Sequence, residues 1–356
     1  MKGLLNIPFY AKAALILIAM FAFISMFYIL QSIIVPIIYS IIIAIVLNPI
    51  VNLFVRKRMN RVIAITITLI FVITITLFGI ILLSAQLIQF GDSFPILIEK
   101  VKLLLEQTVI WASDNFNISA PRINSWINEK KAEILGQASS VIGQTLINTG
   151  SVLVALFLIP VYIFLILFYQ PLLLEFVHKL FSANAHEDVN AVLSATKKII
   201  QSYLVGLLLE AFIVATLNAT CLLILGIDYA ILLGVIGAIL NVIPYIGGII
   251  AVSLPMFIAL ATKSPTYALL VLAAYLIIQF IDNNYIIAKV VASKVQVNAL
   301  VSIIVVIAGG ALWGIPGMFL SIPLTAILKV VFDHIDGLKP WGFLIGDMNP
   351  VSKKHI

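Results

Sequence analysis

Charge is scarce in this sequence, and cysteine is nearly absent. Of 356 residues, 10% are charged and 63% are hydrophobic, whereas a soluble domain is about 25% charged and about 45–50% apolar. A soluble globule of this length needs far more polar surface than 36 charged side chains supply. The composition therefore indicates an integral membrane protein, and it excludes most classes of soluble enzyme.

Other absences narrow the chemistry. The single cysteine, Cys221, excludes a disulfide framework and a thiolate metal cluster. The chain has no GxxxxGK[ST] phosphate loop, no HExxH motif and no nucleophile elbow, so we expect neither ATP-driven transport nor hydrolysis, and no metal or cofactor. The net charge of +6 is typical of cytoplasmic loops rather than of a nucleic-acid partner.

Long uncharged stretches define the membrane spans, because a helix needs about 20 apolar residues to cross the hydrocarbon core. They predict an all-α polytopic bundle of about eight apolar segments. The first run is too long for a signal-peptide core, so we expect it to remain as a membrane helix. The stretches are 13–55, which holds two spans with a break near Gln31, then 62–91, 151–170, 203–225 (interrupted by Glu210), 229–262, 264–281 and 295–328.

Basic residues set the expected orientation. Lys2 and Lys12 precede the first span, and four basic residues lie between 56 and 61, so both clusters are predicted to be cytoplasmic. Both chain termini are then cytoplasmic in a bacterial inner membrane. The predicted regions are 1–91 (three spans), 92–150 (an extracytoplasmic amphipathic helical segment), 151–202 (a fourth span plus cytoplasmic amphipathic helices), 203–334 (a transport core) and 335–356 (a cytoplasmic tail).

Three polar clusters interrupt the apolar stretches of the C-terminal half, at 241–248, 279–285 and 309–317. The first and third are rich in Gly and Pro. Broken backbone at membrane depth is tolerated only inside protein or beside water, and paired breaks of this kind indicate a transporter's binding site.

The two Gly/Pro-broken stretches, 229–262 and 295–328, allow two topologies. Each is 34 residues long and resembles the other at a shift of 68 residues, where Ser253-Leu-Pro255 falls on Ser321-Ile-Pro323. They form either two re-entrant hairpins entering from opposite sides, which is an inverted repeat, or two kinked single spans. The Gly310–Gly314 GxxxG by itself indicates only close helix packing.

These clusters resemble the autoinducer-2 exporter family of bacterial membrane proteins. The resemblance is carried mainly by Asn241-Val-Ile-Pro244-Tyr245-Ile-Gly247, by Gly309-Gly310 with Leu312-Trp313-Gly314-Ile-Pro316-Gly317, and by Ser321-Ile-Pro323. It implies a multi-pass secondary transporter with an external insertion after the third span, and homo-oligomeric assembly. Where the family often has His/Asn-Pro-Leu, this chain has Asn298-Ala299-Leu300.

The resemblance implies export of a small polar metabolite like autoinducer-2, and the alternative is a sodium(lithium)/proton antiporter. A non-transporting scaffold and a passive channel are further alternatives. The expected partners are the lipid bilayer, a small polar solute and H⁺ or Na⁺, with no nucleic acid.

Two carboxylates, Glu210 and Asp282, lie within or directly after otherwise apolar stretches of the sequence. A carboxylate at membrane depth is costly and usually faces a pathway, and burial favours its protonated form, as proton coupling requires. Neighbouring amides suit an uncharged hydroxylated solute. The residues that we expect along the pathway are Glu210, Asn218, Asn241, Pro244, Gly247, Gly248, Gln279, Asp282, Asn283, Asn284, Gly309, Gly310, Gly314, Pro316 and Gly317.

Overall fold

The described part of the chain is helical almost throughout. The computed structural model describes residues 8–116, 149–182, 185–243, 247–287 and 297–347, and within these ranges the one β interaction is an antiparallel bridge between Val297 and Gly346. Six helices there are long and apolar enough to cross a membrane, or seven when a bent pair is counted as one span. The sixth predicted segment, 229–262, contains two shorter apolar helices. The predicted all-α membrane bundle is confirmed.

The N-terminal region contains three helices: α1 (Phe9–Ile29), α2 (Gln31–Arg56) and α3 (Arg61–Phe116). Helix α1 has no buried residue, as expected of an apolar helix that faces lipid. Helix α3 crosses the predicted boundary between residues 91 and 92 without a break. Segment 92–150 therefore begins as a continuation of the helix of the third predicted span, and its residues 117–148 lie outside the described ranges.

The fourth span ends in a sharp bend. Helix α4 (Thr149–Phe168) meets α5 (Gln170–Leu180) at an angle of 65°. The guanidinium of Arg61 fills this corner, because Nε and Nη2 donate to the carbonyl of Leu167 at 3.0 and 2.7 Å and Nη2 also donates to Gln170 Oε1 at 2.7 Å. It thus satisfies a carbonyl group that the end of α4 leaves without a helical partner.

Segment 229–262 folds as a helical hairpin, which we name hairpin 1. Helix α6 (His186–Ile224) leads into α7 (Ala230–Asn241), and α8 (Gly247–Thr262) packs back against α7. Gly226, at φ +64°, lies close to the Lys263 ammonium, so the open end of hairpin 1 lies beside the C-terminal end of α6. Helix α9 (Pro265–Ile281) then continues into a π-helical turn over Asp282–Ile286.

Helix α10 (Ala299–His334) is also a hairpin, which we name hairpin 2. The chain reverses at Gly314, whose φ of 64° and ψ of −145° are not helical. A Cβ placed on Gly309 would lie 2.5 Å from the carbonyl oxygen of Gly317. These two residues would be about 12 Å apart in a continuous helix. The hairpin topology, with its turn in the 309–317 cluster, is therefore the one that the chain adopts.

The open end of hairpin 2 is held by Asn298. Its Oδ1 accepts from Val301 N at 2.9 Å, and its Nδ2 donates to the carbonyls of Leu344, Ile345 and Gly346 at 2.7, 3.2 and 3.1 Å. The acceptors belong to the end of α11 (Lys339–Ile345), which follows a 3₁₀ turn over Asp336–Leu338. Ala299 takes the first helical position, where the resemblance leads us to expect proline, so the asparagine supplies the helix cap without it.

The two hairpins open toward opposite ends of α6. Hairpin 1 opens beside Gly226, at the C-terminal end of α6. At the other end, the pKa of Lys339 is raised, first by its hydrogen bond and charge interaction with Asp336 and further by the Asp188 carboxylate. Since Asp188 lies in the first turn of α6, the end of hairpin 2 lies at the N-terminal end of that helix. This is the inverted arrangement that the internal repeat predicts.

Replacing Asn298 by alanine is expected to loosen the end of hairpin 2. The change removes a helix cap, worth about 1 kcal/mol, and three donated hydrogen bonds, so we expect a loss of about 2–3 kcal/mol. Thermal unfolding of the purified protein, followed by tryptophan fluorescence, measures it. Asn298→Ser keeps a capping hydroxyl and loses the donors to the three carbonyl groups, so an intermediate loss is expected. An unfolding temperature for Asn298→Ala equal to that of the wild type would contradict the assignment.

Candidate functional site

Helix α6 presents a partly polar face to the interior. Tyr203, Glu210 and Asn218 recur with Leu207 and Val214 at spacings of three and four residues, which places all five on one face of the helix. All five are buried, and Glu210 is only 5% exposed. A face with this polarity needs polar neighbours, because an unpaired buried polar group is costly.

Those neighbours come from the turn of hairpin 1 and from the end of α9. Asn241 ends α7, and its Nδ2 donates to Asp282 Oδ2 at 2.7 Å. Gly248, in the first turn of α8, approaches the Gln279 side chain so closely that a Cβ there would lie 2.7 Å from Oε1. Gly247 is held equally tightly against Leu240. Glycine at 247 and 248 thus lets the start of α8 lie directly against α7 and α9. The predicted pathway residue Pro244 lies outside the described residues.

A cavity of about 800 Å³ lies between these elements. Glu210 and Tyr203 line it from α6, Asn241 and Gly248 line it from hairpin 1, and Gln279 lines it from α9, with Asn283 just beyond. Most of its remaining lining is apolar, with Leu207, Val242, Ile249, Val252, Leu272, Leu276, Ile287, Val297 and Ile322. Five of the sequence-predicted pathway residues therefore meet at one cavity: Glu210, Asn241, Gly248, Gln279 and Asn283.

Asp282 lies beside this cavity but is itself completely buried. It lines a separate void of about 10 Å³ together with Asn218, Gly237 and Tyr275. Among the described residues, no hydrogen-bond partner exists for Asp282 Oδ1, Asn218 Oδ1 or the Tyr275 hydroxyl. A void of this size is at the lower limit for one water molecule. Three oxygen atoms around such a void are suited to a water molecule, a proton or one small cation.

The π-helical turn explains how neighbouring residues reach different places. Asp282 and Ile286 are buried, whereas Asn283, Asn284 and Tyr285 are exposed. A π turn inserts an extra residue into a helix and is frequent at functional sites. Asn284 faces away from the cavity and donates to the carbonyl of Phe280 at 2.8 Å. Asn283 accepts from Gln279 Nε2 at 3.3 Å and stays at the cavity.

The turn of hairpin 2 lies elsewhere. Trp313 Nε1 donates to the carbonyl of Phe27 in α1 at 3.1 Å, and the Tyr39 hydroxyl donates to the carbonyl of Pro316 at 3.2 Å. The five predicted residues of this cluster therefore surround a turn that packs on α1 and α2, and the cavity is lined by other parts of hairpin 2. These five are Gly309, Gly310, Gly314, Pro316 and Gly317.

Sequence reasoning missed two tyrosines of the site, Tyr203 and Tyr275. Both are buried and line the cavity. The spacing of Tyr275 held a usable signal, because it precedes Gln279 by four residues and Asp282 by seven, which places all three near one face of α9. Tyr203 bears the same relation to Glu210, seven residues later.

Comparison with known proteins decides the family. The sequence model described as AI-2E family transporter matches residues 15–337. The chain belongs to the AI-2E transporter family. It is therefore a multi-pass membrane protein of a transporter family, and this agrees with the six to seven helices of the described ranges that are long and apolar enough to cross a membrane.

Individual relatives of this AI-2E family member are more distant. TqsA of Escherichia coli K12, named an AI-2 transport protein, is 33% identical over 125 residues, or 35% of this chain and 36% of its own. YrrI of Bacillus subtilis 168, provisionally named a transport protein, is 33% identical over 132 residues, or 37% of each chain. A provisionally named transport protein of Borreliella burgdorferi is 28% identical over 195 residues, or 53% of this chain and 49% of its own. The matched segments thus span about a third to a half of these relatives.

Proposed function

We propose that this AI-2E family member exports a small, uncharged, hydroxylated metabolite like autoinducer-2 across the bacterial inner membrane. The observation that carries the proposal is the cavity of about 800 Å³ at the broken backbone of hairpin 1, where amide groups of Asn241, Gln279 and Asn283 gather. Amides both donate and accept hydrogen bonds without carrying charge, so they match hydroxyl groups on a neutral solute. The similarity to TqsA, named an AI-2 transport protein, supports the choice of solute.

The shape of the cavity also supports a small solute. Its volume lies in the usual range for small-molecule sites, about 300–1,000 Å³. The polar groups are few and the remaining lining is mostly aliphatic, so the cavity favours a compact molecule with polar groups on one side. The position of this cavity between an interrupted hairpin and intact helices is typical of secondary transporters.

A coupling ion is the second part of the proposal. Asp282 and Glu210 are the two buried carboxylates of the described residues, and each would exchange a proton or bind a monovalent cation as the solute moves. The orphaned oxygens of Asp282, Asn218 and Tyr275 support this role because they could serve as ligands for such an ion. Sodium/proton antiport as the main activity has no observation that favours it over solute transport.

Removal of the Gln279 amide is expected to weaken solute binding. Gln279→Ala deletes one hydrogen-bonding group at the cavity, worth about 0.5–1.5 kcal/mol and so about two- to tenfold in apparent affinity. Uptake of autoinducer-2 into inside-out vesicles, measured over a range of concentrations, should show a raised KM for this variant. Right-side-out vesicles should show no such uptake if the direction is export.

The matched control for this test is Asn284→Ala. Asn284 is an amide five residues away that is exposed and does not line the cavity. Its replacement should leave KM unchanged. If both alanine variants transport like the wild type, the cavity is not the solute site.

A further inference from the structure

A second pocket lies between α2 and α6. It has a volume of about 440 Å³ and is lined by the last two turns of α2 and by Lys197 of α6. Its lining residues are Pro49, Asn52, Leu53, Arg56, Lys57 and Lys197. Three cations, one amide and the apolar residues Pro49 and Leu53 thus line one concave site, and the lining includes no acidic residue.

The positive charge in this pocket is not neutralised within the described ranges. The ion pairs there join Glu175 to Lys179, Asp333 to Lys329 and Asp336 to Lys339, and none involves a cation of this pocket. Arg61, only a few residues away, differs because its guanidinium donates hydrogen bonds to the Leu167 carbonyl and to Gln170 Oε1. Three clustered cations without counter-charges repel one another and attract an anion.

The depth of the pocket identifies the kind of anion. The chain carries no charged residue from 13 to 55, and its first charges follow at Arg56 and Lys57. The pocket therefore lies where a long uncharged stretch ends and basic residues begin, which is the level of the lipid headgroups. Its lining includes Leu53, which is 53% exposed. An exposed apolar side chain next to clustered cations matches a phosphate attached to acyl chains.

We propose that this pocket binds an anionic phospholipid, with the phosphate held by Arg56, Lys57 and Lys197 and an acyl chain lying over Pro49 and Leu53. Basic pockets between membrane helices are known to recognise anionic headgroups. The site is independent of the solute cavity. It nevertheless bears on transport, because it joins α2 to the helix that carries Glu210, next to the 2.6 Å hydrogen bond from Gln201 Nε2 to the Ile45 carbonyl.

The test compares two variants with the same loss of charge. Lys57→Gln/Lys197→Gln removes two cations from the pocket. Arg58→Asn/Lys198→Gln removes two exposed cations that do not line it, and asparagine tolerates the positive φ of residue 58. Each purified protein is titrated with phosphatidylglycerol or with phosphatidylcholine in detergent, and bound lipid is counted by native mass spectrometry.

We expect wild type to bind phosphatidylglycerol in preference to phosphatidylcholine. The pocket variant should lose affinity about fivefold per cation, or about 25-fold in total, and the control variant should keep wild-type affinity. Lys57→Arg/Lys197→Arg, which retains both charges, should also retain binding and shows that the pocket still folds.

Three results would overturn the proposal. Equal losses in the pocket and control variants would mean that only the total surface charge matters. Equal binding of the two lipids by wild type would remove the anionic specificity. Displacement of bound lipid by glycerol phosphate at a similar concentration would make the pocket a site for soluble phosphates instead. Solute uptake, measured after the same proteins are reconstituted into vesicles, shows separately whether the transport proposal holds.

Discussion

Replacement of Gly317 by valine is expected to disrupt hairpin 2. Gly317 packs against the backbone of Gly309 in the opposing half of the hairpin, and a Cβ on either residue would overlap a carbonyl group of the other. Backbone atoms cannot rotate away as a side chain can, so the two halves must separate. Overpacking usually costs about 1–3 kcal/mol, and we expect at least the upper figure here because the obstacle is backbone.

Two glycines serve as comparisons for this loss of stability. Gly79 lies in α3 with no atom near its absent Cβ, so Gly79→Ala should be neutral or slightly stabilising. Gly314 also has free space but adopts φ 64° and ψ −145°, and Gly314→Ala should cost about 1–3 kcal/mol through backbone strain alone. Thermal unfolding of all three variants measures the order. If Gly317→Val were as stable as Gly79→Ala, the two halves would not be in contact.

Conversion of Asp282 to asparagine is expected to abolish ion-driven transport while leaving the fold intact. The change keeps the size of the side chain and removes its ability to hold a proton or a cation charge. If Asp282 couples transport, accumulation of solute driven by a proton or sodium gradient should fall at least tenfold. A tenfold lower accumulation ratio corresponds to about 1.4 kcal/mol of lost coupling free energy. Flux down the solute's own gradient should persist.

Glu210→Gln tests the second carboxylate in the same vesicles. Glu210 lies on the large cavity and Asp282 on the small void, so a loss in only one variant identifies the coupling group. Asp228→Asn is the control, because Asp228 is exposed near the end of α6 and its change alters the net charge equally. Ion-driven accumulation at the wild-type level in both Asp282→Asn and Glu210→Gln would refute coupling through these residues.

The positions of the helices follow closely from the sequence because the membrane imposes one simple rule. Any long uncharged stretch must become a hydrogen-bonded helix, and the described residues of the seven stretches are helical almost throughout. Breaks within 229–262 and 295–328 were also predictable, since Gly and Pro break a helix wherever they cluster. The sequence could not predict whether each stretch forms a hairpin or a kinked span. That choice depends on contacts that only the folded chain makes, such as the contact of Gly309 with Gly317.

The candidate site was less predictable than the fold. The polar residue types were visible, but the pairing of Asn241 with Asp282 spans 41 residues and has no local signature. The two Gly/Pro clusters look equivalent in sequence, yet one turn borders the cavity and the other packs on Phe27 and Tyr39. What separates them is the set of helices that each turn meets, and that is a tertiary property.

The turn of hairpin 1 adds little to the electric field that a solute meets from a distance. Helix α7 ends and α8 begins within a few residues of each other, so a C-terminal and an N-terminal helix end lie side by side at the cavity. Their partial charges, about −0.5 and +0.5, largely cancel beyond the turn. Such a turn attracts neither anions nor cations from a distance. Discrimination among neutral solutes therefore depends on short-range hydrogen bonding, and their rate of entry should vary little with ionic strength.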